Sequence, residues 1–589
     1  MNNAAFIACV TAPACTAPDW LRQFLDALAA HHRLVPLVER DGLEILGDAR
    51  AAHLVLGEGR GVIWGHLFRR DTFSRITQSP PTALAELETG ELLDCYWGGY
   101  VAIRVQGDGV EILRDPSGTV ACYHFERDGV HLVTSRPDLL FEHGLVVPSI
   151  DWTIIAQSLA FRDLRPAQTA LRGVSELLPG VCLTVQRNAA SARCDWTPWR
   201  FAARDAQFAD SARSIAALRD VGLAALQSWG ECFDRPLIEI SGGLDSAIVA
   251  AGLSGVADAH CLTFGPEPGE ADERPWARAV AAHIGLPLKE MLADAAVVDI
   301  ERSDAWRQPR PCARALSQAF DRSIQAFAKQ RGADAFLGGA GGDSMFCLLH
   351  SALPVIDRLR AEGFGRGVFE TAADIARLAG TNAWVVLLTA VRRSMQPVNV
   401  LPTPMANPFL AEDVCATLPW PAGNPWLRAR DDIAPGKRRH VWSIIAIQNH
   451  LEGYGRESIA PFIAPLMSQP IFETCLRIPS WHWCIGGNNR AAAREAFRDA
   501  LPAAVIDRRS KVAFNTLVHR VIAANLPRLR DMLLGGALAK ERLIDRKRLE
   551  RYFADELSKG GLLPELMALV DVEAWVRHWE RQSSARIVN

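Results

Sequence analysis

The stretch RPLIEISGGLDSAIVAAGL at residues 235–253 constrains this chain more than any other. Its apolar run ends at Ile240, Ser241, Gly242 and Gly243 make a tight turn, and a helix begins near Leu244 to Ser246. The glycines therefore sit at a helix N-terminus. There, unpaired backbone N–H groups and the positive end of the helix dipole face one point, and the missing side chains let an anion approach the backbone. A phosphate suits that point. Asp245 would be repelled by a bare phosphate unless a divalent cation lay between them, and hard oxygen ligands suit Mg2+. A Gly-Gly pair alone is only a tight turn and an Asp-Ser pair only a helix cap; the strand before them and the helix after them make the combination specific.

A second segment, DAFLGGAGGDSMF at 334–346, again runs from strand to glycine-rich turn to acid. With Asp245 and Asp343 on neighbouring strands, the two acids would flank one Mg2+–pyrophosphate group. Between these loops helix and strand signals alternate, with AHCLTFG and DAFLGG as strands and ERPWARAVAAHIG and CARALSQAFDRSIQAFAKQRG as helices. Such alternation predicts a parallel sheet covered on both faces. From about 350 onward the pattern is mostly helical.

Residues 1 to about 190 read differently, as short alternating or apolar runs separated by Gly, Asp and Pro turns, with hairpin signals at QGDG and RDG. Periodicity fades between 187 and 211, which places a boundary near 205. The expected organisation is a β-rich domain over 1–205 and an α/β domain over 206–589, which suits a 589-residue chain too long for one core. A net charge of −3 offers no positive field for nucleic acid. The longest apolar runs are too short to span a bilayer, and the first residues carry no secretory address, so a cytoplasmic protein without membrane insertion is expected. Thirteen cysteines without CxxC pairs read as reduced core thiols.

The strand–SGGLDS–helix unit resembles the pyrophosphate-binding loop of the ATP pyrophosphatases, which adenylate a substrate and release pyrophosphate. The second loop resembles the S-G-E-G-S-D-E segment of asparagine synthetases, with Gly342 and Asp343 on its last small residue and its acid. Ala340 stands where that family has glutamate and β-lactam synthetases have tyrosine, so the dyad chemistry of those relatives does not transfer. The pattern RDPSG…YHF…LVTSRPDLL within 92–140 resembles the glutaminase half of asparagine synthetases, an Ntn-type sandwich. Active glutaminases of that type carry a cysteine after the initiator Met; here Asn2 stands there, and the first thiols are Cys9 and Cys15. No ammonia from glutamine is therefore expected, which leaves an amine from solution, from a second substrate or from the acylated substrate itself.

Near the C-terminus, ALPAAVIDRRSKVAFNT (500–516) matches the family segment at Arg509, Lys511 and Phe514, and the resemblance puts Lys511 over the α-phosphate and the tetrahedral carbon. PLMSQP, CLRIPS and GGNNRAAAREAF within 448–497 resemble the lasso peptide cyclase branch. The resemblance implies ATP and Mg2+ as cofactors, with Asp245 and Asp343 on the metal. It implies nucleotide contacts from Ser241, Gly242, Gly243, Leu244, Asp245, Ser246, Leu262, Gly339 and Arg509. Lys511 is the implied catalytic cation, with Glu452, or else Glu457, as general base and Tyr454 in support. The implied substrate is a linear, leader-free core peptide, closed into an isopeptide macrolactam. The implied partners are a leader peptidase and a leader-binding protein. Two other readings of the same residues are a β-lactam synthetase-like or ammonia-dependent asparagine synthetase, and a catalytically silent peptide-binding scaffold.

Overall fold

The computed structural model describes residues 4–12, 17–78, 83–186, 189–256, 258–265, 272–348, 351–395, 407–421, 423–509, 515–557 and 560–587. Asn2, Cys15, Lys511 and Phe514 lie outside the described residues.

The alternating runs of the first 190 residues form strands β1 (Phe6–Val10), β2 (Val35–Arg40), β3 (Leu43–Gly47), β4 (His53–Val55), β5 (Gly61–Arg69), β6 (Tyr96–Gln106), β7 (Gly109–Arg114), β8 (Tyr123–Arg127), β9 (Val130–Thr134), β10 (Val174–Glu176), β11 (Val181–Gln186) and β12 (Ala189–Cys194). They pair into two six-stranded antiparallel sheets, ordered β10-β8-β9-β1-β3-β2 and β12-β11-β7-β6-β5-β4. Period-two patterning explains the layers. Phe6, Ala8 and Val10 of β1 join Val62, Trp64, Val101 and Ile103 in the core between the sheets. Ile7 and Cys9, on the opposite face of β1, pack instead with Leu21, Phe24 and Leu28 of the helix Asp19–His32, an element the strand-rich reading did not foresee. At the RDG turn, Asp128 and Gly129 have φ of 52° and 75° between the paired residues Arg127 and Val130, the left-handed pair that a two-residue hairpin favours.

After the helix Ser211–Gly230, strands β13 (Pro236–Glu239), β14 (His260–Gly265), β15 (Leu288–Leu292), β16 (Ala335–Gly338) and β17 (Phe462–Ile463) form one parallel sheet in the order β15-β14-β13-β16-β17. The α/β expectation holds for the second half as the two-sheet expectation does for the first. The helices Arg274–Ile284 and Gln318–Arg331 end on Gly285 and Gly332 in the left-handed conformation, the C-terminal stop that glycine permits. The sequence pattern missed β15 and β17. β15 (LKEML) is an edge strand with only Met291 buried and two charges interrupting its apolar residues, and β17 is two residues long. The order matters for chemistry, because the chain leaves β13 toward β14 on one side and returns as β16 on the other. The crevice beyond the strand ends therefore opens at this switch point.

The two halves share one interior. Ile63, Trp97, Tyr100 and Ala102, on the outer face of the second sheet, belong to the same buried cluster as Trp229, Ile238 and Ile248. A charged knot lies beside it. Glu176, fully buried, takes Arg114 Nη1 at 2.6 Å, Arg165 Nη2 at 2.8 Å and Arg310 Nη2 at 2.5 Å. Burial pushes the Glu176 carboxyl up, but the guanidinia of Arg165, Arg310 and Arg114 together outweigh it and hold the group well below the usual carboxylate range. Arg165 also donates to Gln448 O at 2.7 Å, tying the sandwich to the helical half.

Removing the Glu176 charge takes the carboxylate away from buried Arg114 and Arg310 and leaves Arg165 with Glu452. Glu176→Gln is expected to cost about 3–5 kcal/mol, read as a lower denaturation midpoint in guanidinium chloride. Because the folded pKa is depressed, the wild-type stabilisation is present above the ordinary carboxylate pKa. It is lost only as pH falls toward the depressed value, so the gap between the two proteins should narrow in acid.

Candidate functional site

Both glycine-rich loops empty into the crevice at the ends of β13 and β16. After β13, Gly242 takes φ of 68° and Gly243 caps the helix Leu244–Gly252, so that the turn and helix start fall where the sequence pattern put them. Ser241 N donates to Ser246 Oγ at 3.1 Å and Gly243 N to Ser241 Oγ at 3.3 Å, which stiffens the turn from within. After β16, Gly341 takes φ of 88° and the helix Gly342–Met345 begins with Asp343 in its first turn.

The loops touch, and only glycine allows it. A Cβ on Gly339 would come within 2.5 Å of Ser246 N, and one on Gly342 within 2.4 Å of the Asp245 side chain. This contact brings two acids 98 positions apart onto one point. Arg490 Nη1 lies 2.9 Å from each Asp245 carboxylate oxygen and 2.6 Å from Asp343 Oδ1.

The crevice holds a cavity of about 710 Å³. Ser241, Gly243, Leu244, Asp245 and Ser246 line it, as do Leu262, Gly339, Asp343 and Arg509. Gly242 does not face it. Its missing side chain makes room for Trp276, and its carbonyl accepts from Arg508 Nη1 at 3.1 Å. Ala340 lines the wall where the resembled families carry a functional side chain.

Sequence reading missed most of the cations. Arg490, Arg494 and Arg508 line the cavity beside Arg509. Arg508 is pinned by Glu273 at 2.6 Å and lies 4.2 Å over the Trp276 ring, whereas Arg509 Nη2 donates to Asn488 Oδ1 at 3.3 Å. Arg494 reaches Asn489 O at 2.9 Å and Asn489 Oδ1 at 3.0 Å, fixing the backbone that carries Arg490. The available signal was GGNNRAAAREAF, with two arginines four residues apart; Arg490 is the left-handed N-cap of the helix Ala491–Ala496 and Arg494 lies within it.

The two base candidates part company. Glu452 pairs with Arg165 in the Glu176 knot and lines a small cavity of about 40 Å³. The sequence reading ranks it first; in the structure the Arg165 guanidinium engages its carboxylate. Glu457 lines a second large cavity, about 510 Å³, and accepts from Tyr454 N at 3.2 Å. Burial pushes its pKa up to about 7. Tyr454 lines both large cavities, its ring clasped between the guanidinia of Arg314 at 3.9 Å and Arg456 at 4.3 Å.

The donor set fits a divalent cation. Two carboxylates converge on one point beside a helix N-terminus, and their oxygens are the hard ligands that Mg2+ takes. Among the described residues no group of three or more ligating side chains occurs, so water and nucleotide oxygens would complete the shell, as is usual for Mg2+.

These features define an α/β protein whose glycine-lined, arginine-rich crevice lies at the switch point of a parallel sheet. The chain belongs to the asparagine synthase family, whose profile matches residues 235–417 and 458–577, just over half its length. It is thus an ATP-dependent ligase of the kind that forms C–N bonds. No curated protein matches the chain. Among solved structures, glutamine phosphoribosylpyrophosphate amidotransferase from B. subtilis, complexed with ADP and GMP, is 10% identical over 57% of this chain and 84% of its own, with a TM-score of 0.20. A structure described as the allosteric regulatory enzyme of purine biosynthesis gives 10%, 57%, 83% and 0.20. Similarity that low carries no argument, and the fold rests on the strand order above. No helix among the described residues is long and apolar enough to cross a membrane.

The loop contact predicts its own failure. Gly342→Ala places a methyl against Asp245, so ATP titration in the presence of Mg2+ should show binding weakened at least about ten-fold, with a stability loss of only about 1–3 kcal/mol.

Proposed function

We propose that the chain is a macrolactam synthetase of the lasso peptide cyclase kind. With ATP and Mg2+ it adenylates an Asp or Glu side chain of a linear core peptide and closes an isopeptide bond to the peptide's own N-terminal amine. The supporting observation is the pair of large cavities that meet at Tyr454. The first combines the glycine-rich loops with several guanidinia and suits a nucleotide. The second, about 510 Å³, is far larger than ammonia requires, since a water-sized molecule occupies about 30 Å³, and so suits an amine carried on a larger body. Buried Cys9, its thiol pushed far up by burial, is poorly suited to supply a thiolate for glutamine hydrolysis.

In the first half-reaction the peptide carboxylate attacks the α-phosphorus, a P–O bond forms, and the bond to pyrophosphate breaks. The loop N–H groups and the guanidinia of Arg490, Arg494, Arg508 and Arg509 hold the phosphate charge, and Mg2+ would add a further positive charge beside Asp245 and Asp343. Lys511, outside the described residues, keeps the role that the family resemblance implies. In the second half-reaction the amine attacks the acyl carbon, the bond to AMP breaks, and Glu457 takes the amine proton. Holding amine and acyl carbon in one enclosure contributes on the order of 7–11 kcal/mol, which offsets the lack of free ammonia at high concentration. A leader peptidase and a leader-binding protein belong to the same proposal as the suppliers of the leader-free peptide.

The decisive experiment gives the protein ATP, Mg2+ and the product of a short precursor reading frame neighbouring its gene, stripped of its leader. The expected product is lighter by one water and resists exopeptidase at the ring; asparagine made from aspartate and ammonia instead would overturn the proposal. Glu457→Gln should separate the half-reactions. Pyrophosphate–ATP exchange persists within a few-fold, while ring closure falls on the order of 10²–10⁴-fold. A base must be deprotonated to act, so wild-type closure should rise with pH through about 7, and the variant should lose that rise.

A further inference from the structure

Arg490 occupies the point on which both acidic loops converge. Its Nη1 is shared by Asp245, at 2.9 Å to both oxygens, and Asp343, at 2.6 Å, and its side chain is only about one-tenth exposed. An arginine that merely lined a nucleotide cavity would present its fork to phosphate. This one turns a single nitrogen onto two carboxylates from different strands, in the place where the acids would hold a divalent cation. It also stands in the left-handed region, φ 52°, which costs a non-glycine residue energy unless its surroundings hold it. The surroundings do so: Arg494 N donates to Arg490 O at 3.0 Å, and the Arg494 guanidinium grips Asn489 at its carbonyl and its side chain. The backbone is thereby pinned while the long side chain beyond it keeps its rotatable bonds.

We infer that Arg490 is an internal place-holder for the metal: in the nucleotide-free protein its guanidinium keeps the Asp245 and Asp343 carboxylates in register, and it leaves that point when the metal–nucleotide arrives. The physical reason is charge and distance. Two like charges at one point repel, so pulling two carboxylates together without a cation is costly, and the guanidinium removes that cost. A Mg2+–oxygen distance of about 2.0–2.1 Å is shorter than the present N–O separations, and a divalent ion beside a retained guanidinium would be repelled in turn, so the two cations exclude each other. The triphosphate that arrives with the metal supplies the displaced guanidinium with a new anion inside the same cavity. Free metal without nucleotide should thus bind poorly, and metal with nucleotide should bind well, which couples the two ligands.

The inference rests on the metal–nucleotide reading of this site, and Mn2+ tests the two apart without any need for turnover. Free Mn2+ is followed by its electron paramagnetic resonance signal as it is titrated into nucleotide-free protein. Wild type should bind weakly, Arg490→Met at least ten-fold more tightly, and Arg490→Lys in between; adding Asp343→Asn to Arg490→Met should abolish the gain, and thermal melts establish that each variant is folded. Should folded Arg490→Met bind Mn2+ no more tightly than wild type while ATP still recruits an Asp343-dependent ion, the place-holder role alone is refuted. Should no Asp343-dependent Mn2+ appear even with ATP, the metal reading falls and the place-holder falls with it.

Discussion

Everything functional here depends on β13 and β16 lying side by side and parallel. Parallel neighbours end at the same edge, so the two glycine-rich loops must meet, and the order β14-β13-β16 opens a crevice there instead of covering it. Contact between the loops then requires bare backbone at Gly339 and Gly342, because any Cβ would strike Ser246 or Asp245. The result is a point flanked by two acids and ringed by arginines. Such a surface can hold a highly charged tail only with a cation between like charges, and Arg490 currently serves that purpose.

The sandwich contributes to this site indirectly. Its second sheet shares a continuous apolar core with the helix Ser211–Gly230 and with β13, while Glu176 and its three arginines fasten it to the segment that precedes Tyr454 and Glu457. A fully buried ionic knot is a costly way to join two halves, and a hydrophobic substitute of the same shape is often no less stable. Its value here is geometric. Arg165 engages Glu176, the Gln448 carbonyl and Glu452 together, and so sets where the turn at 449–458 lies relative to both large cavities.

The sequence made several elements legible because local physics alone decides them. The turn at Gly242, the hairpin at Asp128 and Gly129, and the helix stops at Gly285 and Gly332 are all left-handed positions whose residue types announce them. The strand–turn–helix unit at 235–253 is local in the same way, which is why its turn and helix start could be placed in advance. The sequence reading places Glu452 ahead of Glu457 with nothing local to distinguish them. They sit five residues apart in one turn, and their difference lies in neighbours hundreds of positions away: Arg165 for one, and the burial of a second cavity wall for the other.

What the sequence determined, then, was the kind of chemistry: glycines and acids at two strand ends, alternating runs for the sandwich, and helix–strand alternation for the sheet, each read within a window of some twenty residues. Tertiary structure alone decided which charges meet. It placed Arg490 between Asp245 and Asp343, Arg508 behind Gly242 and Tyr454 between two cavities, because side-chain partnership across a sheet depends on strand order and on which atoms remain when water is excluded. Neither of these is written in local periodicity.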